Sequence, residues 1–117
     1  MKIEYIPDGS FDCPLVQISE TSKDDIQKLL TAWEKLSERA GETIELKNNN
    51  LQLICKSGKK DIGLKQITND TFECILGCET WLQVHGLTEA FLKSQTGFQW
   101  LSEEGPIKLL LSPHGGW

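Results

Sequence analysis

The sequence lacks the short motifs that identify most enzymes and metalloproteins. Its 117 residues contain no GxSxG elbow, HExxH pair, GxGxxG loop or phosphate-binding P-loop. It has only two histidines and four cysteines, and no two cysteines have the CxxC spacing typical of structural zinc sites. We therefore predict no catalytic residue, no cofactor and no metal site.

Long apolar runs are also missing. No segment approaches the roughly 20 apolar residues that cross a bilayer, and the first ten residues do not resemble a signal peptide. The net charge is -5, and duplex nucleic acid repels such a surface unless basic residues are set apart. The one basic cluster, KSGKKD, predicts a solvated hairpin tip. We expect a cytoplasmic protein that binds neither nucleic acid nor membrane.

The four cysteines are expected to be free thiols, because the cytoplasm is reducing. Strand alternation places Cys55 and Cys74 on the core face, where a thiol behaves as a small apolar group. Cys78 and His85 share a face of a predicted helix, but seven residues separate them by about 10 Å along the axis. That distance excludes a nucleophile and its base, which need direct contact.

Two helices are predicted from apolar periodicity. In the first, apolar residues recur every 3.6 positions from Ile26 to Ala40, and Thr21 or Ser22 provides the N-cap. The second runs from Cys78 to Gln95 and contains Gly86, which lowers its helix propensity.

The remaining apolar runs predict strands joined by short turns, which favours antiparallel pairing. Three asparagines at residues 48–50 are typical of such a turn. The sequence shows no internal repeat. We expect one α+β domain over residues 1–117, with a mainly antiparallel sheet of six to eight strands and two helices.

Alternation along the strands predicts apolar side chains on both faces of the sheet. The core face collects Leu51, Leu53, Cys55, Phe72, Cys74, Leu76, Phe98, Trp100, Ile107, Leu109 and Leu111. The opposite face holds Ile54, Ile75, Leu101 and Leu110. Unless a helix or the N-terminal segment covers it, this second group is large enough to form an interaction face for a protein partner.

Two functions are compatible with these features. The first is a non-enzymatic binding or protein-interaction module, with self-association into a homodimer as one form, acting through the second face. The alternative is a small-molecule-binding protein or minor enzyme with a groove near Trp81, His85, Trp100 and Trp117.

The last residues, SPHGGW, raise a third possibility. A Gly-Gly pair followed by one residue resembles the precursor of a ubiquitin-like modifier or sulfur carrier, whose tail must be extended and free. The other interpretation is that Gly115 and Gly116 bend the chain, so that Trp117 packs back onto the domain. The second is favoured because a terminal tryptophan is unusual on a tail that stays in water.

The second half of the chain also resembles a family of short, uncharacterised bacterial proteins. The likeness lies in TFECIL, WLQVHGL and GFQWLSEEGPIKLLLSPHGGW, from Phe72 to Trp117, and more weakly in DCPL at Asp12. The family ends in an LLLSP-x-G-x-W pattern. The resemblance implies no activity, ligand or catalytic residue. It does imply that Trp117 belongs to the domain, since the position of Gly116 varies in the family pattern.

Overall fold

The chain contains two successive ββαββ units. The structure is a computed structural model and describes residues 1–48 and 50–117. The first unit comprises β1 (Lys2–Ile6), β2 (Leu15–Ser19), α1 (Lys23–Glu38), β3 (Thr43–Lys47) and β4 (Gln52–Gly58). The second comprises β5 (Gly63–Gln66), β6 (Thr71–Gly77), α2 (Cys78–Glu89), β7 (Gln99–Ser102) and β8 (Lys108–Leu111). The predicted α+β class is confirmed.

The strands form two four-stranded sheets, whereas the sequence predicted one. Sheet A has the order β1-β2-β8-β7, and sheet B has the order β3-β4-β6-β5. In each sheet the outer pairs are antiparallel and the central pair is parallel, β2 with β8 and β4 with β6. Each central pair therefore joins strands from different units.

The two units have the same topology. The counterparts are β1 and β5, β2 and β6, β3 and β7, and β4 and β8. If each strand of sheet A is exchanged for its counterpart, the order becomes β5-β6-β4-β3, which is sheet B read from its other edge. The sequence shows no internal repeat, but the topology of the chain contains one. Topology depends on which positions are buried, and different apolar residues can occupy those positions without any identity between the units.

The basic stretch KSGKKD is not a hairpin tip. Its first three residues end β4, its last three lead towards β5, and β6 lies between these two strands. β6 carries three side chains with no exposed surface, Phe72, Cys74 and Leu76. β5 instead ends in the exposed Lys65 and Gln66. Burial on the core side therefore favours β6 in the centre of the sheet and β5 at its edge, although β5 comes first in the sequence.

One hydrophobic core joins the inner faces of both sheets to the two helices. Within it, the indole rings of Trp33 in α1 and Trp81 in α2 stack with their centroids 5.1 Å apart. Trp33 Nε1 donates to Thr88 Oγ1 at 3.0 Å, and Trp81 Nε1 donates to the carbonyl oxygen of Lys56 at 2.9 Å. Because neither ring has exposed surface, these bonds satisfy donors that would otherwise be desolvated without a partner.

Helix α1 begins at one of its two predicted caps, Ser22. The Ser22 hydroxyl accepts from the backbone N–H of Asp25, and the Asp25 carboxylate accepts from the backbone N–H of Ser22, which completes a capping box. The hydrogen bond from the Ser22 backbone holds the pKa of Asp25 below its ordinary value.

Helix α2 ends at Glu89, six residues before its predicted end, because the chain tightens into a 3-10 turn over Ala90–Leu92. Gly86 lies inside the helix and costs about 1 kcal/mol relative to alanine. A Cβ placed on Gly86 would meet no other atom within 4 Å, so packing inside the chain does not require the glycine.

Strand alternation correctly predicts which side chains face the core in β4, β6 and β8 but fails in β7. The register shifts between Trp100 and Ser102, which marks a β-bulge. As a result Leu101 points into the core and is 4% exposed, whereas Trp100 pairs with Leu110 on the outer face of sheet A. Phe98, also predicted in the core, is exposed.

The last two strands of each unit form a hairpin, β3–β4 in the first unit and β7–β8 in the second. The turn of each hairpin contacts an edge strand of the other sheet. The Asn48 side-chain amide donates to the carbonyl oxygen of Ile3 in β1 at 2.8 Å. In the second unit, the carbonyl oxygen of Glu104 accepts from the backbone N–H of Leu64 in β5. Gly63 precedes this contact at φ +100°, and a Cβ there would lie 2.1 Å from the Glu104 oxygen, so only glycine fits.

The turn predicted at residues 48–50 is present at its two described positions. Asn48 Oδ1 accepts from the backbone N–H groups of Asn50 and Leu51, both at 3.1 Å. Asn49 lies outside the described residues.

The hydrogen bond between Trp33 and Thr88 generates a first prediction. Replacing Thr88 by valine keeps the side-chain volume but leaves the Trp33 N–H without a partner, so we expect the free energy of unfolding to fall by about 1–3 kcal/mol. Urea denaturation followed by tryptophan fluorescence measures this. The control is Thr31→Val on the exposed side of α1. Equal stability of the two variants would contradict a stabilising role for the bond.

The exchange of strands between units generates a second prediction. Because each sheet takes its central pair from both units, a chain divided between Lys59 and Lys60 yields fragments that cannot complete either sheet. Separated hairpins are marginal in water. We expect each fragment alone to be unfolded by circular dichroism and an equimolar mixture to regain the spectrum of the intact chain. A fragment that folds alone would show that the units are independent.

Candidate functional site

The outer face of sheet A presents aromatic side chains beside a free strand edge. Phe98 and Trp100, at the start of the edge strand β7, contact edge to face with ring centroids 6.2 Å apart. Lys108 in the adjacent β8 lies over Trp100, with Nζ 5.3 Å from the ring centroid. The ammonium group and the ring attract each other, and this contact restricts the orientation of both side chains.

The C-terminal tail folds back over the same face. The Gln17 side-chain amide donates to the carbonyl oxygen of Gly115 at 3.0 Å, and the Ser112 hydroxyl donates to the carbonyl oxygen of Gly116. Gly115 adopts φ +83° at the bend. The start of the bend at Gly115 therefore lies beside β2 on the outer face of sheet A. The predicted bend of the tail is confirmed at Gly115, and Trp117 is 39% exposed.

The tail and the β1–β2 loop account for the burial of the groups beneath them. Leu15 and Leu110 have no exposed surface, and Gln17 and Ser112 are also buried, although all four lie outside the main core cluster. Apolar surface that the sequence left available to a partner is therefore covered by the chain itself.

Charged groups border the aromatic side chains. Lys108 Nζ lies 3.5 Å from the Asp12 carboxylate and 3.9 Å from that of Glu103. Phe11, directly before Asp12, is fully exposed. We define the aromatic surface as Phe11, Phe98, Trp100, Lys108 and Trp117. It offers ring faces and one cation flanked by two carboxylates, an arrangement suited to binding rather than to bond chemistry.

The interaction face predicted from the sequence does not exist as one surface. Leu101 is in the core, and Leu110 is covered on the outer face of sheet A. Ile54 and Ile75 belong to sheet B, where they are partly exposed on neighbouring strands. The prediction was wrong because it assumed a single sheet and an unbroken alternation in β7.

The predicted groove is not formed either. Trp81 has no exposed surface and cannot line a groove, because its ring stacks on Trp33 in the core. His85 is partly buried on α2. Of the four groove residues, Trp100 lies on the outer face of sheet A and Trp117 ends the tail that folds over that face.

Cys78 and His85, which were considered as a nucleophile and its base, do not meet in the structure. α2 is unbroken between Cys78 and His85, so the separation expected from the sequence stands. The Cys78 sulfur lies 3.1 Å from the Ser57 hydroxyl. At the start of α2 the Asp61 carboxylate accepts from the backbone N–H of Gly77 and from the Thr80 hydroxyl, both at 2.8 Å. The protein's own carboxylate therefore occupies the position where a helix N-terminus would attract an anion.

Cys55 and Cys74 pair across the parallel strands of sheet B and are both buried free thiols. Burial raises the pKa of Cys55 well above its ordinary value and that of Cys74 to about 12. Both side chains therefore stay protonated and unreactive at neutral pH.

Among residues 1–48 and 50–117, no three histidine, cysteine or acidic side chains are grouped so as to hold a metal ion. In the same described residues, no helix has both the length and the apolar character required to cross a membrane.

Sequence reasoning missed the aromatic surface because it assigned Phe98 and Trp100 to the core. One signal was present: Trp100 and Leu101 are adjacent apolar residues, which interrupts a period of two and is typical of a bulge. Phe11 gave no signal of its own.

Comparison of the chain with models of protein families, with curated proteins and with solved structures finds no match in any of the three. The geometry of the site therefore carries the functional argument.

The packed tail generates a third prediction. Ending the chain at His114 leaves the Gln17 amide and the Ser112 hydroxyl without partners and uncovers Leu110, so we expect the free energy of unfolding to fall by at least about 1–3 kcal/mol. Urea denaturation again measures the loss.

Trp117→Ser is the matched control, because it retains Gly115 and Gly116 and should lose less. If the truncated chain is as stable as the full one, the tail does not belong to the folded domain.

Proposed function

We propose that the protein is a non-enzymatic protein-interaction module whose partner binds the aromatic surface. The observation that carries this proposal is the division of the eight phenylalanine and tryptophan residues. Four are buried in the core: Trp33, Phe72, Trp81 and Phe91. The other four are those of the aromatic surface. Aromatic side chains are enriched at protein interfaces and dominate their binding energy. The rings of the aromatic surface leave apolar area in contact with water, and a bound partner would bury it.

The charges of the aromatic surface indicate the kind of partner. Lys108 is held near Asp12 and Glu103, so charges of both signs border the rings. A protein that presents an apolar side chain among polar ones matches this pattern, because the rings supply burial and the charges supply orientation. The bulge in β7 disturbs its free edge and disfavours addition of a strand. The partner therefore binds the face of sheet A.

The alternative functions receive less support from the structure. A modifier needs a free tail, whereas the carbonyl groups of Gly115 and Gly116 are both hydrogen-bonded to the domain. A small-molecule groove needs Trp81 at the surface, and its ring is in the core. Cytoplasmic location and the bacterial family remain predictions from the sequence.

Site-specific photo-crosslinking tests the proposal as a fourth prediction. A benzophenone amino acid replaces Phe98, and the protein is irradiated in cells of its source organism. We expect one protein to be captured reproducibly. With purified components, Trp100→Ala should then weaken its binding at least about tenfold, the loss typical of a central aromatic contact.

The matched control carries the same amino acid at Thr31, which is exposed on α1. Capture at both positions alike, or a purified partner whose affinity Trp100→Ala leaves unchanged, would contradict the proposal.

A further inference from the structure

The face of α2 opposite the core is exposed to solvent. The buried side of the helix consists of Trp81, Val84 and Thr88. At about 100° per residue, Gly86 lies on the side directly opposite. Leu82, one turn before Gly86, is 61% exposed. This face therefore combines a protruding apolar side chain with a position that has no side chain.

A shallow depression lies on the same face, one turn after Gly86. It is lined by Gly86, Glu89, Ala90, Leu92 and Lys93. The missing side chain of Gly86 and the short one of Ala90 create the space. Leu82 lies four residues before Gly86, and Ala90 lies four residues after it. The protrusion and the depression are thus equally far from the glycine.

Charged residues follow the same arrangement. Glu79 lies seven residues before Gly86, and Lys93 lies seven residues after it. The backbone of Lys93 still has right-handed helical angles, so it continues the line of the helix. Neither residue forms an ion pair with another residue of the described chain. The two charges are opposite in sign and symmetric about Gly86.

We infer that this face binds a second copy of the chain, through antiparallel packing of the two α2 helices about a two-fold axis at Gly86. Such an axis brings a residue that lies before Gly86 against the residue equally far after it in the second copy. Leu82 enters the depression beside Ala90 of the second copy, and Glu79 faces Lys93 of the second copy. Each contact occurs twice.

This arrangement accounts for a glycine that nothing inside the chain requires. Glycine allows two helix backbones to approach closely, and a larger side chain at the axis would separate them. The surface is small because it consists of one helix, so we expect a weak dimer with a Kd on the order of 1–100 μM. The dimer surface on α2 does not include the aromatic surface. Dimerisation is therefore independent of the proposed function.

Analytical ultracentrifugation of the full chain, from about 1 μM to about 1 mM, tests the inference as a fifth prediction. We expect a reversible monomer–dimer equilibrium. Gly86→Arg should raise the Kd at least about tenfold. The same variant should unfold at equal or higher urea concentration, because arginine has the higher helix propensity and a Cβ at this exposed position meets no packed neighbour.

The matched control is Gln27→Arg on the exposed side of α1, which adds the same charge away from the interface and should leave the Kd unchanged. At low salt, Glu79→Lys and Lys93→Glu should each raise the Kd about two- to fivefold, and the double variant should restore it. A monomer at every concentration, a dimer indifferent to Gly86→Arg, or no restoration in the double variant would each overturn the inference.

Discussion

The stacked indole rings of Trp33 and Trp81 connect the two ββαββ units of the chain. Each ring lies in one unit and donates its hydrogen bond to the other, Trp33 to Thr88 and Trp81 to Lys56. The sheets follow the same rule, because both central parallel pairs combine strands from the two units. The core is therefore formed between units rather than within them, and neither unit has a complete hydrophobic interior of its own.

The two units differ at their outer edges, and the aromatic surface lies at one of them. β3 and β7 are topological counterparts, and both are free edges. β3 pairs in regular register and carries Glu45 and Lys47, charges that protect an edge from aggregation. β7 has a bulge and adjoins the rings of the aromatic surface, which the tail and the β1–β2 loop extend. Phe98 and Trp100 therefore reach the outer face of sheet A beside an outer strand whose pairing is irregular.

The candidate site shows how far local patterns reach. The sequence correctly indicated that the tail bends at Gly115, because a glycine pair before a terminal tryptophan is a local signal. It placed Trp100 and Leu101 on the wrong faces, because one extra residue between Trp100 and Ser102 shifts the register of β7 against β8 by one position. The same shift removes Leu101 from the predicted interaction face, whereas Leu110 is covered on the outer face of sheet A, and Ile54 and Ile75 lie in sheet B. A bulge is fixed by pairing with β8, and that pairing is not local.

The sequence by itself determined the helices, the strands and an N-cap of α1 at Thr21 or Ser22, because hydrogen bonds and apolar periodicity within a few residues decide them. It also determined that the cysteines at positions 55 and 74 are buried. Only the tertiary structure decided that β6 separates β4 from β5, that there are two sheets, and which aromatic rings remain in water. Those outcomes depend on contacts between residues far apart in the chain. Such contacts are selected by the total apolar area that the whole fold can bury, which no short segment encodes.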